Sequence, residues 1–220
     1  MHQRTAESVA VVHGEQEVFR RTAHLFANAT EIACAANHLA TWGWSNGPEG
    51  TPVAELTRRN GARIRKVYRS GILLDPTWAQ RLEVVQTHPA VQVRVTTDEL
   101  NETVIIDGRL VILAGDRRAG ERTYSLITDR AAVLGVTSLF EAAWRSATDH
   151  ALFDAQIAEI RGLAPQVLDL LAQGVKDEAA ARILGLGVRT YRRRVAELMT
   201  ALGAESRFQA GVRAREIGLV

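Results

Sequence analysis

Residues 187–203 constrain this 220-residue chain more than any other stretch. They read Gly-Val-Arg-Thr-Tyr-Arg-Arg-Arg-Val-Ala-Glu-Leu-Met-Thr-Ala-Leu-Gly. At about 100° per residue, Tyr191, Val195, Leu198 and Leu202 share one narrow face of a helix. Arg189, Arg193, Ala196 and Thr200 take the opposite face, with Arg192 and Arg194 on the flanks. An apolar stripe of this kind demands a small domain beneath it, while the arginines keep the outer face in water. Apolar repeats over 165–173 and 177–184, punctuated by Gly174, Gly185 and Gly203, supply the neighbouring helices. The last sixty residues are therefore expected to form an all-α, four-helix domain.

Charge follows the same division. Residues 1–154 carry 17 Lys+Arg and 18 Asp+Glu, whereas 155–220 carry 10 and 7. The excess is small, so the spacing of the arginines matters more than their number. A helix fits the DNA major groove; its outer face reaches base edges, and its flanks and first turn meet phosphates. A short helix, a glycine turn and an arginine-loaded helix within about 25 residues form a helix-turn-helix pattern.

The string Gly174-Val175-Lys176-Asp177-Glu178-Ala179-Ala180-Ala181-Arg182-Ile183-Leu184-Gly185-Leu186-Gly187-Val188-Arg189-Thr190 resembles the LuxR-type (GerE-type) helix-turn-helix. Leu202-Gly203-Ala204-Glu205-Ser206-Arg207 is similar to that family's tail. The resemblance covers 160–220 and implies a recognition helix over about 188–202. It implies that Thr190 and Arg192 touch phosphate or base edges and that Arg193 faces the groove. Arg194 stands at a backbone-contacting position often held by His, and the helix after Gly203 forms a dimer contact on DNA. The candidate DNA-binding set is Lys176, Arg189, Thr190, Arg192, Arg193, Arg194, Ala196 and Arg207. Lys176 replaces a usual Thr and Gly187 a usual Ser, so both helix starts are expected to lack a side-chain cap worth about 1 kcal/mol. The first helix of this domain is expected to begin late, near Pro165.

The first 150 residues alternate between periods. Helical spacing covers 15–29, an apolar run at 31–36 reads as a buried strand, and 42–50 is a turn-rich loop. A helix is expected over 52–60, a strand alternating basic and apolar residues over 63–69, and a helix from Asp75-Pro76 to about 87. Strands follow at 91–95, 103–106, 109–113 and 122–128, with Asp107-Gly108 as a two-residue hairpin turn. A helix from 130 to about 146 is expected to continue to 160 as a helical linker. This half reads as α/β, a mixed sheet with helices.

Thr103-Val104-Ile105-Ile106-Asp107-Gly108-Arg109-Leu110-Val111-Ile112-Leu113-Ala114-Gly115 resembles the region around the phospholipase D motif, and equally the non-catalytic sensor domains of TrmB-type regulators. In the catalytic pattern a His precedes the Asp by seven positions and a Lys by five. This chain has Leu100 and Glu102 there. Leu cannot attack phosphorus, and Glu repels phosphate. A non-enzymatic, degenerate phospholipase-D-like domain over 1–147 is expected, followed by the linker at 148–160 and the DNA-binding domain at 161–220.

Other chemistry has little support. The six histidines show no metal-ligand spacing, and neither a phosphate loop nor a nucleophile elbow occurs, so no cofactor is expected. Cys34, the only cysteine, sits in an apolar run and is expected to be buried and inert. Apolar runs are too short to span a bilayer, and the N-terminus lacks a signal-peptide core; a cytoplasmic, nucleoid-associated location is expected. The expected partners are double-stranded DNA with a palindromic or repeated operator, a second copy of the chain, and an unidentified small-molecule or protein effector at the N-terminal domain. Arg63, Arg65, Lys66, Arg69, Trp42 and Trp44 are weighed as a pocket for it, against a solvated strand face and loop anchors. The competing classes are a phosphodiesterase-like enzyme and a protein-interaction module that uses the C-terminal helices for assembly.

Overall fold

The computed structural model describes residues 8–37, 61–86, 89–118 and 121–220. The loop expected at 42–50, the helix at 52–60, Trp42 and Trp44 lie outside the described residues. The chain divides into two compact units, one drawn from Met1–Val67, His88–Gln92 and Leu100–Ala147, the other from Tyr68–Thr87, Val93–Glu99 and Thr148–Val220.

The first unit is built on a mixed sheet. Its strands are β1 (Val9–His13), β2 (Glu31–Ala36), β5 (Thr103–Ile106), β6 (Leu110–Arg118) and β7 (Glu121–Ile127), with the first residues of β3 (Arg63–Arg69) and β4 (Val91–Thr96). The order is β1-β7-β6-β5-β2-β3-β4. Pairing is antiparallel from β1 through β7, β6 and β5 to β2. The Arg63 N–H donates to the Thr30 carbonyl at 2.9 Å and the Ile64 N–H to the Ala90 carbonyl at 2.8 Å. Strands β2, β3 and β4 thus start from one end and run parallel, which fits the near-continuous burial of β2. Within β2, burial pushes the Cys34 thiol up to about 12, so it holds its proton.

Helix α1 (Glu15–Asn28) and helix α3 (Arg130–Ser146) belong to this unit. Val133 and Phe140 of α3 pack with Val67, Ile105, Val111 and Ile127 of the sheet. Asp107 and Gly108 both take positive φ, 50° and 59°, as the expected hairpin turn requires. The Asp107 carboxylate also accepts the Thr30 N–H (2.9 Å), the Thr30 hydroxyl (2.8 Å) and the Glu31 N–H (2.8 Å). It locks the turn to the start of β2.

The second unit begins with a 3-10 turn (Ser70–Leu74) and α2 (Pro76–Gln86), whose start is fixed by the Thr77 N–H donating to Asp75 at 2.7 Å. Arg94 and Val95 pair antiparallel with β8 (Thr148–Asp149). Then come α4 (His150–Arg161), α5 (Ala164–Ala172), α6 (Asp177–Ile183), α7 (Val188–Ala201) and α8 (Arg207–Glu216).

Two sequence expectations need correction. The helix starting at Arg130 does not run on to 160. It ends at Ser146, Ala147 is extended, and Asp149 caps a new helix by accepting the Ala151 N–H at 3.0 Å. Phe153, Ile157 and Ile160 of α4 are buried, so 148–160 is a packed part of the second unit rather than a linker. The units also cut across the expected boundary. Residues 68–87 and 93–99 group with the C-terminal helices. The Ser70 hydroxyl donates to the Ala201 carbonyl at 2.6 Å, and the Arg161 Nε to the Leu73 carbonyl at 2.6 Å.

Candidate nucleic-acid interface

Helices α6 and α7 are joined by a tight glycine turn. Gly185 has φ 65°, and the Leu186 N–H reaches back to the Ala181 carbonyl at 2.8 Å, closing α6. Neither Lys176 nor Gly187, the two N-cap residues, makes a side-chain cap, as the sequence implied. Packing sets the position of α7 instead: Tyr191, Val195, Leu198 and Ala201 are buried, and Leu202 with them. The expected core stripe is present.

The opposite face is in water. Arg189, Arg193, Ala196 and Thr200 are all exposed, and Thr190 is half-buried in the first turn. Among the described residues, Arg189 has no ion pair. Arg193, 63% exposed, lies 3.6 Å from Glu197, a loose contact. Lys176 is exposed before α6.

The flanks behave differently from each other. Arg194 is only 13% exposed, and it donates to Glu197 at 2.7 Å and to Glu159 of α4. These contacts brace Arg194 within the unit, at the position for which the resemblance implies a contact to the DNA backbone. Arg192 is 59% exposed; its Nε donates to Asp177 Oδ2 at 2.8 Å and its Nη2 to Glu178 Oε1 at 3.3 Å. Arg207 closes on the same Asp177 with both terminal nitrogens, at 2.7 and 3.2 Å. Three helices therefore meet on one carboxylate.

Asp177 was not among the sequence candidates. Its partners lie 15 and 30 residues away, beyond the reach of helical spacing. The Arg207 and Arg192 guanidinium groups hold its carboxyl down to about 2 from an ordinary 3.8. Its stabilising contribution is complete above the unfolded value and is lost as pH falls through the folded one. In an acid titration of the full chain followed by circular dichroism, Asp177→Asn is expected to shallow the loss of structure between those limits. A parent and variant with superimposable acid limbs rule this out.

Two side chains of the basic strand β3 are held by partners within their own units. Arg65 is bidentate to Glu141 at 2.6 and 3.0 Å, pairs with Glu31 at 2.9 Å, and lies over the Phe140 and Trp144 rings at 5.3 and 5.5 Å. In the second unit Arg69 is buried and contacts Glu216 at 3.4 Å. Arg65 and Arg69 therefore take part in packing. No helix among the described residues is long and apolar enough to cross a membrane.

No family model matches the chain. A bialaphos biosynthetic pathway regulatory protein of Streptomyces hygroscopicus is 30% identical over 161 residues, 73% of this chain, and the chain spans 62% of that protein's length. Solved structures similar in part include TrmBL2, an archaeal chromatin protein described as showing a novel mode of DNA binding. It has a TM-score of 0.48 at 18% identity, covering 67% of this chain and 55% of its own. Nuc, a phospholipase D family member from Salmonella typhimurium, has a TM-score of 0.47 at 12% identity, covering 64% and 97%.

Proposed function

We propose that this chain is a DNA-binding transcription regulator with a LuxR-type helix-turn-helix, in which α7 enters the major groove. One observation carries the reading: α7 buries one face completely and presents Arg189 and Arg193, one turn apart, on the other beside the small Ala196. Those arginines match the two acceptors on a guanine edge, and Ala196 permits close approach. Lys176, Thr190, Arg192 and Arg207 border the same face and serve phosphates. The name of the Streptomyces relative, a pathway regulatory protein, supports regulation as the role.

The sheet-based unit acts as a non-catalytic sensor or dimerisation domain. Leu100 and Glu102 stand where the phospholipase D chemistry needs His and Lys, and Glu102 is buried and paired with Arg122. Two chains pair on a palindromic or repeated operator with half-sites about one helical turn apart. Phe208 and Val212, exposed one turn apart on α8, suit the dimer contact that the family resemblance implies.

The test is equilibrium binding of the full chain to duplexes selected from a random pool, titrated with salt. Each phosphate neutralised contributes about −0.9 to the slope of log K against log salt. A slope steeper than about −3 is expected, with no hydrolysis of a phosphodiester substrate. Salt-independent binding, or no selected sequence, overturns the reading.

A further inference from the structure

We infer that Asp177 is a specificity-determining positioning residue, which holds Arg192 and Arg207 on its carboxylate and so withholds them from sequence-independent phosphate contact. The inference rests on the DNA-binding reading above.

Arg207 gives Asp177 its terminal fork, at 2.7 and 3.2 Å, the same donors with which arginine grips a phosphate. Arg192 gives its Nε and leans its Nη2 on Glu178, so mainly Nη1 remains outward. The Asp177 side chain is 14% exposed, against 59% and 47% for the two arginines. The carboxylate therefore lies beneath two guanidinium groups that face water. The guanidinium sides of these pairs face water, so a well-placed phosphate can compete with the carboxylate for their donors. A phosphate out of register has no second contact to offset the carboxylate it leaves unpaired. Lys176, exposed and without an ion pair among the described residues, supplies sequence-independent attraction that remains.

A purely structural role for Asp177, tying α6 to α7 and α8, predicts equal weakening on every sequence. The restraint predicts divergence. The full chain, Asp177→Asn and Glu178→Gln are compared by fluorescence anisotropy on a mixed-sequence duplex and on the selected operator, each across a salt series. Asp177→Asn is expected to bind the mixed duplex about fivefold more tightly, with a slope steeper by about one, and to lose operator preference by a similar factor. Glu178→Gln, on an exposed side chain with a 3.3 Å contact, moves the same way by less. Equal loss on both duplexes at unchanged slope overturns the inference. If Asp177→Asn fails to fold, Glu178→Gln decides: a steeper slope supports the restraint and an unchanged slope overturns it. Failure of the unmodified chain to bind either duplex is a different outcome, and it removes the DNA-binding reading along with this one.

Discussion

Gly203→Ala is expected to destabilise the C-terminal helical unit by about 3 kcal/mol or more, whereas Gly185→Ala costs about 1–2 kcal/mol. Both glycines close helices in the left-handed region, with φ 64° and 65°. A side chain there costs about 1–2 kcal/mol on backbone grounds alone. At Gly185 an added Cβ meets open space. At Gly203 it lies 2.4 Å from the Thr97 carbonyl oxygen and 2.7 Å from Arg213 Nη1. The guanidinium can swing away, at the cost of its 3.1 Å bond to the Leu202 carbonyl. The Thr97 carbonyl is backbone and has no such freedom. Relief of that overlap requires a shift of the chain just beyond β4 or of the α7 terminus, about 1–3 kcal/mol of overpacking beyond the φ term. Urea titrations of the two variants beside the parent give the comparison. Equal losses at the two positions contradict the close approach.

Features set by local chemistry were legible beforehand. The α7 stripe needed only the helical period, and the Asp107-Gly108 hairpin needed only the preference of those residues for positive φ. The missing caps at Lys176 and Gly187 were equally visible. The break at Ala147 was not, because apolar residues on both sides continue one period and only the Asp149 cap resets it. Strand β1 was also missed: it is five residues long, sits at a sheet edge and is largely exposed, so it carries little alternation. In the candidate interface, the outer positions of α7 followed from angle alone. The fate of the flanks did not. Arg192 and Arg194 look alike on a wheel, yet one meets Asp177 and the other Glu159, partners placed by the packing of α6 and α4. Glu197, three and four residues from Arg194 and Arg193, was the one acidic partner that spacing could have named.

Arg189→Ala combined with Arg193→Ala is expected to lower operator affinity about a hundredfold or more while leaving the fold intact. Each bidentate contact to a guanine is worth about 1–3 kcal/mol, and every 1.4 kcal/mol is tenfold. Arg189 is exposed, Arg193 is 63% exposed, and both lie on the face opposite buried Tyr191, Val195 and Leu198, so thermal unfolding is expected to match the parent. Arg194→Ala is the informative contrast. Its side chain is 13% exposed and braces Glu197 and Glu159, so its removal costs about 1 kcal/mol of stability and changes operator preference little. Salt separates base readers from phosphate contacts: removal of a base contact relaxes sequence preference, whereas removal of a phosphate contact lowers the salt slope by about one. If the double variant binds as tightly as the parent, α7 does not read the groove. Its exposed arginines are then a solvated face, and the short-helix, turn, long-helix arrangement serves assembly instead.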